Sequence, residues 1–501
     1  MSGIKWHDTL IAHHAYASHL PQRLDHVVSE YCDAAPWKLV HGKRGGLDTN
    51  PKRLPKDMSA EELCLYNAID SRLTALCWQR MQPDLEPERS VYEHDRDLAS
   101  ICRDMQWEGI GIDRVRQAEL SALASRRRAA LKGIMRGIIA EPRFQPGKLD
   151  EVRRVLFKKL RGTYTTFTPG GMPSTANATL EALKGNDTRL ARFADALLKW
   201  RLVGKIKSTY IDWVEVNPNT QRMHYVWKVH GTVSGRLSCR FQSVPRWDKR
   251  DVSARVREMY VPRKGNVFVY FDVSQAEMRL AAYLSADPAF IAACGKDVHE
   301  GNARAVFPEA AAKGWFDGAN LKDPSMGKPY RDIAKNLGFA IAYGAEAEKV
   351  FITLRSKGFD VTFRAVELIL ARLRSAYAVY YRYVETNLAA VRKCGYMRTP
   401  ILGRIRWMGW FPKPTEVSNF PVQSALADVM NARMIELRKR LPREAALTAQ
   451  VHDSCIYDVP KRLAGVVERE IKALWAEPVN LPGGALVLPI DMKRGERVSE
   501  L

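Results

Sequence analysis

Apolar residues recur at helical spacing along most of this chain, and the pattern changes texture four times. Glu61–Gln82 carries a helical repeat that Pro83 and Pro87 bring to a stop. Residues 88–225 read as strongly helical, broken by the Thr/Gly/Pro-rich loop Thr163–Pro173. From 226 to 295 the pattern becomes strand-rich, and Val267–Phe271 is a continuous apolar run of the buried-strand kind. Helical spacing returns over 296–395, and 396–501 alternates strands with helices. The pattern predicts a strand-rich core split by a long helical insertion, without internal repeats. No apolar run approaches the ~18 residues of a membrane helix. The first twenty residues carry His13, His14 and His19 and lack the basic-then-apolar order of a signal peptide, so a soluble intracellular (cytoplasmic) protein is expected.

Composition narrows this picture. With 501 residues, 46% hydrophobic and 27% charged, the chain has room for roughly three domains, and disorder throughout is excluded. Eight cysteines at 32, 64, 77, 102, 239, 294, 394 and 455 form no C-x-x-C pair and read as reduced thiols, not as a disulfide or zinc framework. The His13-His14 pair reads as packed on a helix. The net charge is +22, and residues 114–207 hold 21 Lys+Arg against 7 Asp+Glu, which places +14 of it there. Runs such as Arg126-Arg127-Arg128, then Arg153, Arg154, Lys158, Lys159 and Arg161, point to a polyanion gripped through its phosphates.

Two features carry candidate chemistry. Asp272 ends the apolar strand, and His452-Asp453 lies between two apolar stretches as a tight hairpin would place it. Each aspartate alone suits a turn or cap. If adjacent strands bring them together, they suit two Mg²⁺ ions about 3.5–4 Å apart. The second feature is Tyr330–Gly344, where Arg331, Lys335, Phe339 and Tyr343 recur every four residues. On a helix they form one stripe roughly 18 Å long, with two cations at one end for a polyphosphate and two aromatics at the other for a base. Gly338 within the helix costs about 1 kcal/mol relative to Ala and marks a close approach, and Gly344 is a stop signal.

These residues resemble the family A DNA polymerases. Asp272–Arg279 looks like the family's first palm motif, and the Arg331/Lys335/Phe339/Tyr343 stripe resembles its nucleotide-binding fingers helix. Val451-His452-Asp453 is similar to its second palm motif. Gly231–Ser238, Gln242–Pro245, Asn419 with Gln423, and His299 follow in further matching blocks from about residue 90 to the C-terminus. The resemblance implies a mixed α and β right-hand polymerase: a palm with an antiparallel sheet, helical fingers and a helical thumb. It divides the chain into 88–113 (linker and start of palm), 114–225 (thumb), 226–295 (palm, first part), 296–395 (fingers) and 396–501 (palm, second part).

Carried over by position, Asp272, Asp453 and the Val273 carbonyl are expected to hold two Mg²⁺ ions, with Mn²⁺ as a substitute. Arg331, Lys335 and His299 are expected on the triphosphate, Phe339 and Tyr343 on base and sugar, with Gln275 also in the nucleotide site. Glu277 is the expected steric gate against ribose. Arg236, Thr232, Asn419, Gln423 and His452 are expected near the primer end, and Arg404 near the template. The implied function is template-directed addition of deoxynucleotides to a primer 3′-hydroxyl with release of pyrophosphate, in replication of bacteriophage type within a bacterial host. Primer–template DNA and dNTPs are the partners, and no membrane is involved.

Departures from the family pattern are informative. Ser454 follows Asp453 where a glutamate is usual, and Phe339 replaces the Tyr of some members, which implies discrimination against dideoxynucleotides. Residues 1–87 resemble the later part of the family's RNase H-like 3′–5′ exonuclease, with Tyr66 and Asp70 matching its Tyr-x-x-x-Asp motif. The earlier carboxylate blocks would precede Met1, so the chain alone is expected not to proofread unless a separate polypeptide supplies them. Three rivals remain at this point: a single-subunit RNA polymerase, opposed by Glu277 and Gln275, a non-catalytic primer–template-binding remnant, and a nuclease.

Overall fold

The computed structural model describes residues 6–34, 59–164, 166–185, 188–245, 252–295, 297–343 and 346–501, without the side chains of 252–254, 338–343 and 356. Its strands are β1 (Ile110–Ile112), β2 (Arg222–Met223), β3 (Tyr260–Val261), β4 (Asn266–Val273), β5 (Tyr396–Arg398), β6 (Ile405–Trp407), β7 (Ala446–Val451), β8 (Ser454–Pro460), β9 (Val479–Leu481), β10 (Gly484–Leu486) and β11 (Ile490–Gly495). The central sheet is antiparallel in the order β11-β4-β8-β7, and a smaller sheet runs β2-β1-β3. Buried Arg222 links them, donating to Asp458 of β8 at 3.0 Å.

Alternation along β4 sets up the site. Val269, Phe271 and Val273 are buried, and Phe271 lies against Trp475 of the helix Ala464–Trp475 with ring centroids 5.5 Å apart. Strand residues one step along point to the opposite face. Tyr270 and Asp272 therefore share the other face with their register partners, Lys493 and Asp491 on β11 and Ile456 and Ser454 on β8. The expected apolar strand ending in an acid is thus the second strand of a four-stranded sheet.

In the basic segment, helix Arg114–Ile139 packs on helix Arg189–Ile206, burying Leu120, Ala124, Leu131, Met135 and Ile139. The positive runs are only partly available to a partner. Arg126 and Arg127 are exposed, whereas Arg128 stacks 4.1 Å over the Trp200 ring. Arg154 and Lys159 share Glu141, whose carboxyl their hydrogen bonds pull down to about 2.

At the N-terminal end, the described residues up to 87 are helices and turns with no strand among them, so the sheet of an RNase H-like fold is not part of what is described there. His13 is buried between Gln22 and Glu30. His14 is buried beside Asp95, Arg404 and His230, and burial lowers it from 6.5 to about 4 against the opposing pull of Asp95. A folded pKa below the unfolded one leaves stability intact above 6.5 and removes it as pH falls towards 4. Asp428, raised by burial to about 6, acts in the opposite sense, so the variant isolates the histidine. His14→Gln is expected to remove about 2–3 kcal/mol of acid sensitivity between pH 7.5 and 4.5, read as the difference in urea-unfolding free energy from the parent chain. Equal pH dependence in both chains would refute it.

All eight cysteines are free thiols. Among the described residues no helix is long and apolar enough to cross a membrane.

Candidate active site

The two aspartates do meet. Ser454 of β8 is in register with Asp272 of β4, and the Val273 N–H donates to the Asp453 carbonyl at 2.9 Å. Residues 181 positions apart in sequence thereby sit side by side at one end of the sheet. His452-Asp453 is the two-residue turn between β7 and β8, and His452 takes φ 57°, the left-handed region that tight hairpins require. The turn is held from behind: Gln242 donates to Gln450 Oε1 at 2.9 Å, and Gln450 donates in turn to the His452 carbonyl.

The donor set is all oxygen, as a hard divalent cation requires. Oδ1 of Asp272 and Oδ1 of Asp453 are both shielded from solvent, and Asp453 Oδ1 accepts no hydrogen bond in the structure. A further acid, missed in the sequence, lies on the neighbouring strand. Asp491 of β11 pairs directly with Asp272, and its Oδ2 accepts from Ser274 Oγ at 2.6 Å. Like charges opposed on neighbouring strands are unfavourable by themselves, and the Ser274 hydroxyl takes up one Asp491 oxygen. The apolar/charged alternation Ile490-Asp491-Met492-Lys493 was the available signal. Ser454 is buried and donates to the Val451 carbonyl at 2.9 Å, closing its own hairpin.

Glu277 lies in the first turn of the helix Ala276–Ser285 and forms an ion pair with Arg236 at 2.5 Å. Thr232 Oγ1 donates to the Arg236 carbonyl at 2.8 Å and so shapes the same loop. Gln275, at φ 56°, uses both ends of its amide: it donates to Asp297 at 3.0 Å and accepts from the Val298 N–H at 2.9 Å. It thereby ties the sheet to the start of helix Val298–Val306.

That helix packs on Gly327–Tyr343 and brings the cations together. Arg331 donates twice to Asp297 Oδ2, at 2.9 and 2.6 Å, and Lys335 is exposed one turn on. Burial lowers the His299 imidazole, and the nearby positive charges of Arg331 and Lys335 lower it further against Asp297. Burial would raise Asp297, but the hydrogen bonds from Arg331 and Gln275 carry it below its ordinary range. The helix continues to Tyr343, so Phe339 and Tyr343 fall on the same stripe by spacing, but their side chains lie outside the described residues, as does Gly344.

Asn419 and Gln423 lie one turn apart on helix Pro414–Arg440, with Gln423 Nε2 donating to Asn419 Oδ1 at 3.2 Å. His452 is exposed beside Asp453. Arg404 requires a correction. Expected near the template, it is fully buried and forked onto Asp95 at 2.7 and 2.8 Å, with Asp428 at 4.0 Å. A guanidinium with no exposed surface is an internal tie and not a template contact. Tyr66 and Asp70 share one face of helix Ala60–Arg80 and hydrogen-bond to each other, which with burial raises the Tyr66 hydroxyl. Among the described residues no group of three or more His, Cys, Asp or Glu is placed to hold a metal.

A right-hand polymerase frame fits this arrangement of sheet, catalytic-type carboxylates and cationic helix, and comparison with known proteins agrees. Residues 116–500 match DNA polymerase family A, and the chain belongs to that family. It is 29% identical over 441 residues to the thermostable DNA polymerase I of Thermus filiformis, covering 82% of this chain and 50% of the relative. It is 27% identical over 546 residues to DNA polymerase I of Synechocystis sp., covering 98% of this chain and 51% of the relative. The chain thus spans about half the length of these curated relatives. The solved POL domain of Pol1 from M. smegmatis, in complex with DNA primer-template and dNTP, shares the fold with a TM-score of 0.76 at 19% identity, over 98% of this chain and 82% of that one.

Proposed function

We propose that this chain is a template-directed DNA polymerase that adds deoxynucleotides to a primer 3′-hydroxyl and releases pyrophosphate. The observation that carries the reading is the juxtaposition of Asp272 and Asp453 at the β4–β8 sheet end, within a family A fold. Two divalent cations, Mg²⁺ or Mn²⁺, held there with the Val273 carbonyl would activate the 3′-hydroxyl and offset charge on the leaving pyrophosphate. Arg331, Lys335 and His299 bind the triphosphate, and Phe339 and Tyr343 receive base and sugar. Arg236 holds the Glu277 carboxylate in position, where it leaves no room for a 2′-hydroxyl. Gln275 acts through Asp297 and the Val298 N–H, orienting the helix that carries His299. Asn419, Gln423, Thr232 and His452 surround the primer end. In this reading 226–295 and 396–501 are palm, 296–395 fingers and 114–225 thumb, reached through 88–113.

Residues 1–87 are assigned as an exonuclease-like remnant without proofreading. Tyr66 and Asp70 bond to each other, and among the described residues Asp70 belongs to no group of three or more His, Cys, Asp or Glu placed to hold a metal.

The test is extension of a labelled primer on a DNA template with Mg²⁺, using matched and mismatched 3′ ends. Extension of the matched primer is expected, with the mismatched end left intact. Glu277→Ala is expected to raise ribonucleotide incorporation relative to deoxyribonucleotide roughly ten- to hundredfold. Failure of the parent chain to extend a matched primer overturns the polymerase reading, and excision of the mismatch overturns the remnant assignment.

A further inference from the structure

Between β6 and helix Pro414–Arg440 the chain makes a short loop, Met408–Lys413, whose tip is aromatic. Phe411 is 98% exposed and Trp410 60%, beside Trp407 at 42%. Single exposed apolar residues need no explanation, but this pair is presented on an anchored support. The N–H groups of Met408 and Gly409 both donate to the Gly395 carbonyl, at 2.8 and 3.0 Å. Trp407 Nε1 donates to the Tyr16 carbonyl at 3.2 Å, Pro412 is buried, and Pro414 opens the helix. The tip is therefore fixed on both sides while its rings face water.

Its surroundings are positive. Lys413 is exposed next to the rings. Arg392 and Lys393 are exposed in the last turn of helix Ala378–Cys394, which ends at Gly395, the residue that anchors the loop. Residues 408–414 contain no acid, and the nearest downstream one, Glu416, faces Arg406 at 3.6 Å. Exposed rings among cations are the means by which proteins hold unpaired nucleic acid: bases stack on the rings and phosphates meet the charges. A duplex offers such a surface little beyond its terminal pair, because its other base faces are already covered by their neighbours.

Position selects the strand. Asn419 follows Pro414 by five residues, about 7.5 Å along the helix axis, so the loop lies just beyond the residues assigned above to the primer end. We propose that Trp410 and Phe411 form a stacking platform for the single-stranded template that has not yet been copied. This inference rests on the polymerase reading, and its test separates the two.

The full chain and the double variant Trp410→Ala/Phe411→Ala are compared by fluorescence anisotropy on one DNA hairpin, either blunt or with a 5′ overhang of about eight nucleotides. The variant is expected to bind the overhang substrate roughly ten- to hundredfold more weakly and the blunt one within about twofold of the parent. Trp410→Phe/Phe411→Tyr, which keeps both rings, is expected to restore overhang binding. Unchanged overhang affinity, or an equal loss on both substrates, overturns the platform. So does a variant that loses self-association in sedimentation while its DNA binding is unchanged, since the rings would then face another protein copy. Extension across a one-nucleotide overhang, which offers the platform nothing to stack, is expected to match the parent. If the parent itself extends nothing, the polymerase reading fails, whatever the anisotropy reports.

Discussion

Asp453→Ala is expected to lower primer extension by about a thousandfold or more while leaving affinity for primer–template within about twofold. Asp272→Ala should behave alike. Neither side chain caps a helix, and the β4–β8 ladder beside them is made by backbone groups, so the sheet survives the change. Asp491 faces Asp272 across the β4–β11 pair, so like charges are opposed at this sheet end. Loss of one negative charge there relieves repulsion, so in chelator Asp453→Ala should melt no lower than the parent, and Asp272→Ala should stay folded. They should also lose the stabilisation that added Mn²⁺ gives the parent, since a cation bound only by the folded state raises its stability. Extension by Asp453→Ala at more than a tenth of the parent rate would remove this residue from the reaction. A melting temperature several degrees below the parent in chelator would give it a structural role instead.

Arg404→Ala is expected to act on stability and not on DNA. The guanidinium is fully buried, its fork is filled by Asp95, and a Cβ built on Gly235 would come within 2.9 Å of its Nε. Truncation leaves Asp95 buried without its partner, and Asp428, already raised by burial to about 6, loses the charge that restrains it. Breaking a buried pair from one side costs about 3–5 kcal/mol, measurable as a shift in the urea midpoint. Asp95→Ala should cost a similar amount. The apolar pair Arg404→Met/Asp95→Leu should recover much of the loss, as isosteric replacement of buried ion pairs does elsewhere. At low temperature, where the single variant remains folded, its primer–template affinity should equal the parent's. A selective loss of DNA affinity with unchanged stability would return Arg404 to the template.

Asp453 and Arg404 mark where local reading of the chain succeeds and where it fails. The run Val267–Phe271 ending in Asp272, the His452-Asp453 turn and the Arg331/Lys335 spacing are each written within a dozen residues, and each falls in the element its pattern predicts. Local periodicity decides such features. What escaped it depends on partners far along the chain. Asp95 lies 309 residues from Arg404, and Ser274 lies 217 from Asp491. An arginine in a loop of this kind carries the same local signature whether it meets phosphate or a buried carboxylate. The basic runs around Arg128 and Arg154 show the same ambiguity, since Arg128, Arg154 and Lys159 are engaged internally by Trp200 and Glu141. Even the small β2-β1-β3 sheet, with strands of two or three residues, has no period long enough to read.

The bond from Arg331 to Asp297 has one further consequence. Asp297 occupies the guanidinium before any nucleotide arrives, and the same carboxylate caps the helix that bears His299 and accepts from Gln275. In the proposed reaction an incoming triphosphate must therefore displace an internal anion, and stray phosphate, with fewer charges to offer, competes poorly for that place. In that reaction each displacement would also free Asp297 from the Gly327–Tyr343 helix, so the arrival of substrate and the release of that helix from its tether would be one event.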